Sequence, residues 1–203
     1  MTPSKRLFDL VLAAFLLVPL TPMMVIVALI ICATDGRPIF YRSERMRDPA
    51  SGFHLIKFRT MTVASNDTGV TGRDKADRIT PIGSFLRRYR LDELPQLFNI
   101  LSGDMSFVGP RPPLREYVER FPGIYDKVLK SRPGLTGLAS LKYRRHEERL
   151  LANCNSPEAT DSVYSRRCIP AKARLDLIYQ NNWSICLDVR VIISTCLDVF
   201  RRP

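Results

Sequence analysis

From Leu7 to Ala33 the chain is almost without polarity; Asp9 is its only charge. At ~1.5 Å per residue, a helix of that length crosses the ~30 Å hydrocarbon layer of a bilayer. Pro19 and Pro22 fall in its middle, where each removes a backbone hydrogen bond and bends a helix. Basic residues flank both ends: Lys5 and Arg6 before it, Arg37, Arg42, Arg45 and Arg47 after it. The positive-inside rule puts both flanks on the cytoplasmic side. A kinked helix that enters one leaflet and returns satisfies both facts; a tilted transmembrane helix with a proline kink is the simpler alternative. A secretory signal is not expected, because the apolar run is too long and no small-residue cleavage site stands out.

The rest of the pattern is shorter in period. Ile39–Tyr41 and Phe53–Phe58 read as strands joined by a polar loop through Asp48-Pro49 and Gly52. Ser65–Asp77, rich in Gly, Thr and Asp, reads as a mobile loop. A helix is expected over Ser84–Tyr89. Leu94, Leu97, Phe98 and Leu101 then recur at the spacing of an amphipathic helix, closed by Gly103. Leu114–Lys130 reads as a helix broken at Pro122-Gly123, and Leu141–Leu151 as a highly charged, solvated face. Asn153–Thr160 reads as a loop and Ile169–Tyr179 as a helix. Ser184–Phe200 is amphipathic and apolar-heavy, with Trp183 before it and Arg201-Arg202 after it. That suits either an interfacial helix or a plain core helix. The fold class predicted is α+β, mostly helical. A membrane helix covers 1–33, and a domain over 34–203 holds a short β-hairpin or sheet and amphipathic interfacial helices.

Charge narrows the functional classes. The 203 residues carry a net charge of +11 and a pI near 9.8, which implies an acidic partner: nucleic acid, anionic lipid or a phosphorylated small molecule. The five cysteines form no C-x-x-C pair and read as reduced packing residues. His54 and His146 stand apart and are assigned packing or surface roles.

The densest chemistry lies around Asp92 and Glu93. Arg87, Arg88 and Arg90 precede the pair, and a GPRP turn after Gly103 brings in Arg111. The pattern places the pair at the start of a helix, with Pro95 in its first turn. Free N–H groups and the macrodipole there favour ionised carboxylates and phosphate. An ionised aspartate among arginines suits attack on a phosphorus whose oxygens the arginines hold, or the holding of a divalent metal. A simple helix cap is the plainer reading of the same residues. In Lys57-Phe58-Arg59 the two cations alternate with an apolar residue, so in a strand both point to one face and suit a diphosphate; a solvated strand face accounts for them equally.

Three motifs then resemble a known family. KFRTM (Lys57–Met61), LRRYRLDELPQLFNILSGDMSFVGPRP (Leu86–Pro112) and RPGLTGLAS (Arg132–Ser140) are similar to those of the small monotopic phosphoglycosyl transferases, the bacterial polyprenol-phosphate sugar-phosphate transferases. The likeness runs from Lys5 to about Phe200, and Thr21-Pro22 sits where that family breaks its re-entrant helix. The resemblance implies transfer of a sugar-1-phosphate from a UDP-sugar to undecaprenyl phosphate at the cytosolic face of the bacterial inner membrane, with release of UMP. This would be the first membrane step of glycoconjugate biosynthesis. It implies Asp92 as nucleophile, forming an aspartyl-phosphosugar, with Glu93 beside it, and Mg²⁺ held by the dyad. It implies Lys57, Arg59, Arg87 and Arg111 as phosphate ligands. Asp176 falls in the family's Leu-Asp-x-x-Tyr pattern and is given a supporting role there, or is a surface acid. One departure is clear: Leu138-Ala139-Ser140 stands where Trp-Ala-Gln is common. Nothing before Lys5 matches, so a bare catalytic unit is expected. No nucleic acid is expected as partner; a homo-oligomer packed through the apolar segments is compatible with the sequence. Two rivals remain: a membrane-attached binder of anionic lipid or nucleic acid without enzymatic activity, and an enzyme in which Asp92 only holds a metal that activates water.

Overall fold

A computed structural model describes residues 2–63 and 77–200. The Ser65–Asp77 segment therefore lies outside the described residues, apart from Asp77. Helix α1 (Pro3–Thr34) runs as one helix through both prolines. Thr2 caps it, accepting the Lys5 N–H at 3.3 Å, and the Thr21 hydroxyl donates to the Leu17 carbonyl at 2.7 Å, a bond that tends to bend helices.

One face of α1 is apolar and exposed, with Leu7, Val11, Phe15, Val18, Val25, Ile26 and Leu29 along it, while Ala13, Met24, Val27 and Ile31 are buried. Both ends of α1 are fastened to the same body. At the start, Lys5 donates to Asp188 at 2.6 Å and to the Tyr179 hydroxyl at 3.1 Å, and Arg6 donates to the Ile100 and Leu101 carbonyls at 2.6 and 2.8 Å. Asp9, fully buried, accepts the Phe107 N–H at 3.2 Å. Past the far end, the Arg59 guanidinium donates to the Asp35 and Gly36 carbonyls at 2.6 and 2.8 Å, and Ile31 packs with Phe58 and Leu86.

Strands β1 (Phe40–Met46) and β2 (Gly52–Phe58) form an antiparallel hairpin, with Phe40 opposite Phe58 and Met46 opposite Gly52. β1 is longer than predicted, because its alternating charged residues read as loop. Asp48 Oδ1 closes the turn by accepting the Ala50 and Ser51 N–H groups at 3.0 and 2.7 Å.

Helices α2 (Pro81–Arg88) and α3 (Gln96–Ser102) follow. Then come β3 (Ser106–Val108), α4 (Arg115–Arg120), α5 (Pro122–Val128) and β4 (Gly134–Thr136). The parallel β3–β4 pair was not foreseen, since three residues leave no periodicity to read. It holds the GPRP turn in place: the Gly109 N–H donates to Thr136 at 2.9 Å and the Gly134 N–H to Pro110 at 2.8 Å. A Cβ on Gly109 or Gly134 would collide with the facing backbone, so side chains are excluded there.

Four α-helices follow among the described residues: α6 (Leu138–Leu151), α7 (Pro157–Val163), α8 (Ile169–Asn181) and α9 (Ile185–Phe200), with a π-helical turn, Tyr164–Cys168, joining α7 to α8. α7 corrects the loop expected over Asn153–Thr160. Ser156 caps it, accepting the Ala159 N–H at 3.2 Å, with Pro157 next, a start signal that the polar composition obscured. The fold class is as expected: mostly helical, with short sheets and a long apolar N-terminal helix. The largest core joins α1, β2, α3, β3 and α9 through Ala13, Leu55, Leu97, Ile100, Phe107 and Val191. A second core packs Met46, Tyr117, Val128 and Ile169 between the hairpin, α4, α5 and α8.

Candidate active site

Asp92 and Glu93 sit in a single 3₁₀ turn, Leu91–Glu93, ahead of α3. Arg90 enters it with φ 57°, the left-handed conformation that reverses the chain after α2. Pro95 is the residue before α3, whose helix spans only seven residues. The dyad therefore precedes the helix and does not open it. A helix this short leaves little dipole at the carboxylates, so side-chain cations govern them.

Glu93 is the hub. Its Oε1 accepts from Lys57 Nζ at 3.2 Å and from Arg111 at 3.0 Å; its Oε2 accepts from Arg90 at 2.9 Å. Only 7% of Glu93 is exposed. Lys57, Arg111 and Arg90 overcome burial and hold its carboxyl well below the usual range.

Asp92, also 7% exposed, is treated in the opposite way. Among the described residues none donates a hydrogen bond to its side-chain carboxylate. Burial, and next the negative charge of Glu93, raise its pKa against the pull of Lys57, Arg87 and Arg111. The neighbouring cations thus favour the charged form of Glu93 far more than that of Asp92. Such a carboxylate keeps its lone pairs and opens onto a cleft of about 1320 Å³.

The cations come from three directions. Lys57 projects from β2. Arg87 lies on α2, which approaches the KFRTM segment so closely that a Cβ on Gly83 would collide with the Thr60 backbone; Arg87 Nε donates to Thr60 Oγ1 at 2.8 Å. Arg111 comes from the GPRP turn. Arg90 belongs with them through Glu93, although it lay outside the expected set; its i, i+3 spacing to Glu93 was the available signal.

Arg59 corrects an expectation. It borders the cleft, but β2 ends at Phe58 and the guanidinium turns onto the carbonyls after α1. Lys57 and Arg59 do not project together. Asp176 does face the cleft from α8. It is 7% exposed, its Oδ1 has no hydrogen-bond partner among the described residues, and burial pushes its pKa up to about 7 against the pull of Lys172. That excludes the surface-acid reading. In the departure from Trp-Ala-Gln, Leu138 packs on the core and Ser140 reaches the cleft wall.

A Mg²⁺ ion needs oxygen donors. Among the described residues no group of three or more His, Cys, Asp or Glu side chains stands ready for one. Glu93 does not fit, since both its oxygens already accept from cations. Asp92 fits, as the one protein carboxylate beside substrate phosphates that Mg²⁺ commonly uses.

Residues 1–202 match the family model for bacterial sugar transferases. The chain belongs to the bacterial sugar transferase family. Within this family it is 34% identical to the UDP-glucose:undecaprenyl-phosphate glucose-1-phosphate transferase of Klebsiella pneumoniae, over 97% of this chain and 40% of that protein. It is 32% identical to the undecaprenyl-phosphate galactose phosphotransferase of Salmonella typhimurium, over 98% of this chain and again 40% of the relative. It is 34% identical to the exopolysaccharide production protein ExoY of Sinorhizobium fredii, over 95% of this chain and 83% of that one. The chain spans less than half the length of the first two.

Proposed function

We propose that this bacterial sugar transferase moves a sugar-1-phosphate from a UDP-sugar to undecaprenyl phosphate, through a covalent intermediate on Asp92. One observation carries the reading: a cleft-facing aspartate whose carboxylate has no hydrogen-bond donor among the described residues, next to a glutamate that gathers three cations. An Asp92 oxygen attacks the phosphorus bearing the sugar. The bond from that phosphorus to the bridging oxygen breaks, and UMP leaves with the electron pair. An oxygen of the lipid phosphate then attacks the same phosphorus, and the bond to Asp92 breaks. A polyprenyl diphosphate sugar results, and Asp92 is an ionised carboxylate again.

Phosphoryl transfer asks the protein for placement and charge neutralisation. Glu93 supplies both indirectly: it holds Lys57, Arg90 and Arg111 beside the reacting phosphate and gives up part of their charge when the diphosphate arrives. Mg²⁺, held by Asp92 and the substrate's own phosphate oxygens, would neutralise further charge on the diphosphate. The relatives act on UDP-glucose or on galactose by their names, so the donor is a UDP-hexose in this proposal.

The site works at the cytosolic face of the inner membrane. This is supported by the attachment of both ends of α1 to one body and by its exposed apolar face. A helix that crossed the bilayer would carry one end away from that body. The direct test is Asp92→Asn: UMP release from UDP-hexose plus undecaprenyl phosphate falls by at least ~10³-fold. Retention of most of the activity would remove Asp92 as nucleophile.

A further inference from the structure

The cleft holds a cation that the scheme above does not use. Along β1, Tyr41, Ser43 and Arg45 alternate onto one face. Tyr41 stands opposite Lys57 in the hairpin, so Arg45 shares the face of Lys57, four residues further along, roughly 13 Å at about 3.3 Å per residue. Arg45 is partly buried and lines the same cleft as Asp92. Its one hydrogen bond among the described residues is long, 3.4 Å from Nε to Ser43 Oγ, and none of the ion pairs among them includes it.

Its neighbours are served differently. Lys57, Arg90 and Arg111 share Glu93. Lys172 has Glu147 at 3.0 Å, Arg115 has Glu44 at 2.5 Å, and Arg59 has carbonyls. A guanidinium stays charged, and burying one without an anion is costly. Arg111 also repels it, and burial with that repulsion pushes the Arg45 pKa down. Such a group is built for an anion that comes and goes.

We infer that Arg45 is the seat of the departing phosphate, the one that stays with the nucleotide. The inference rests on the function proposed above. In-line displacement sends the leaving oxygen away from the nucleophile. Asp92 feels Lys57, Arg87 and Arg111, while Arg45 feels Arg111 first, then Tyr164 and Tyr41, and last the carboxylate of Glu116, with which it forms no ion pair. Lys57 holds Glu93 next to the nucleophile, and Arg45 lies further along the same strand face. A diphosphate whose sugar-bearing phosphorus sits at Asp92 runs along that face toward Arg45. Tyr41 and Tyr164 also line the cleft, Tyr41 at the Lys57 end of the strand face. Two anion seats along one strand face let UMP leave from one while the covalent adduct stays at the other.

The test compares two probes, UMP and uridine, on the purified full chain in detergent or nanodiscs. Binding is read by calorimetry or thermal protection. Arg45→Gln weakens UMP about 10- to 100-fold, the loss expected for a charge-assisted hydrogen bond, and leaves uridine within twofold. The retained uridine binding reports a folded pocket. Arg45→Lys keeps the charge without the fork and weakens UMP by less, which secures the reading if the Gln variant does not fold. The KM for undecaprenyl phosphate stays unchanged in both. UMP affinity unchanged in a folded Arg45→Gln variant overturns the assignment, as does equal loss of UMP and uridine, which would mean that Arg45 only shapes the pocket. A raised KM for the lipid phosphate with UMP affinity intact would make it the acceptor's seat instead. A wild-type chain that binds no UMP and releases none from UDP-hexose would sink the proposed function itself, a result separate from all of these.

Discussion

Glu93→Gln tests the arrangement of charges more sharply than any other single change. The variant keeps the shape of the side chain and removes one negative charge from among Lys57, Arg90 and Arg111. Stripping one partner from a fully buried ion pair costs about 3–5 kcal/mol. Here water reaches the partners: the side-chain exposures are 19% for Lys57, 18% for Arg90 and 42% for Arg111. Screening and hydration lower the figure to about 1–3 kcal/mol. For a chain of this size that is a fall of roughly 3–10 °C in Tm.

The sign with pH is fixed by linkage. The folded pKa of Glu93 is depressed, so its contribution is present above the ordinary glutamate range and is lost only as pH falls through the depressed value. The penalty is therefore full at neutral pH. Two further effects follow. UDP-hexose protects the variant against heat more than it protects the wild type, because its diphosphate supplies the missing anion. The acid limb of kcat/KM also moves to lower pH, because Asp92 no longer feels the Glu93 charge that helps to raise its pKa. Differential scanning fluorimetry from pH 5 to 8, with and without UDP-hexose, reads the first effects, and a pH–rate profile reads the last. A variant as stable as the wild type, with the acid limb unmoved, refutes the role of Glu93 as shared counter-ion.

Two other predictions concern the surroundings. Asp176 has a folded pKa of about 7, raised from an ordinary 3.8, so the folded state binds more protons between those values and stability falls as pH rises through that window, by up to about 4 kcal/mol. Asp176→Asn flattens this fall and raises Tm at pH 8 relative to wild type; an unchanged pH profile of Tm would show that the carboxyl is not the buried acid described. Single cysteines placed at Ser4 and Asp35, in a background without the native cysteines, react alike with a membrane-impermeant maleimide: protected in intact spheroplasts and labelled in inverted vesicles. Opposite labelling of the two would make α1 a true span.

Much of the site could be read from residue order, because its parts are local. The dyad, Arg87 and Arg111 lie within one stretch from Leu86 to Pro112, where a turn and a short helix set their relation. What escaped the sequence depends on contacts across the chain. Arg59 alternates with Lys57 on paper, yet the strand ends between them and the carbonyls after α1 claim its guanidinium. Arg45 looked like a flanking charge of the membrane segment, and only the hairpin register places it on the face of Lys57. The pKa of Asp92 was expected to fall among arginines. It rises because burial disfavours the charged form and Glu93 adds its own negative charge, and the burial is not visible without tertiary packing. β3 and β4 were missed because three residues carry no period, while the glycines that let them approach were in plain view.

The most direct measurement is the intact mass of the purified chain after brief mixing with UDP-hexose in the absence of lipid phosphate, followed by peptide mapping. The account predicts a gain of one hexose phosphate located on Asp92, discharged when undecaprenyl phosphate is added and absent from Asp92→Asn. A chain that turns over both substrates with no adduct on Asp92 at any time in the reaction would contradict it.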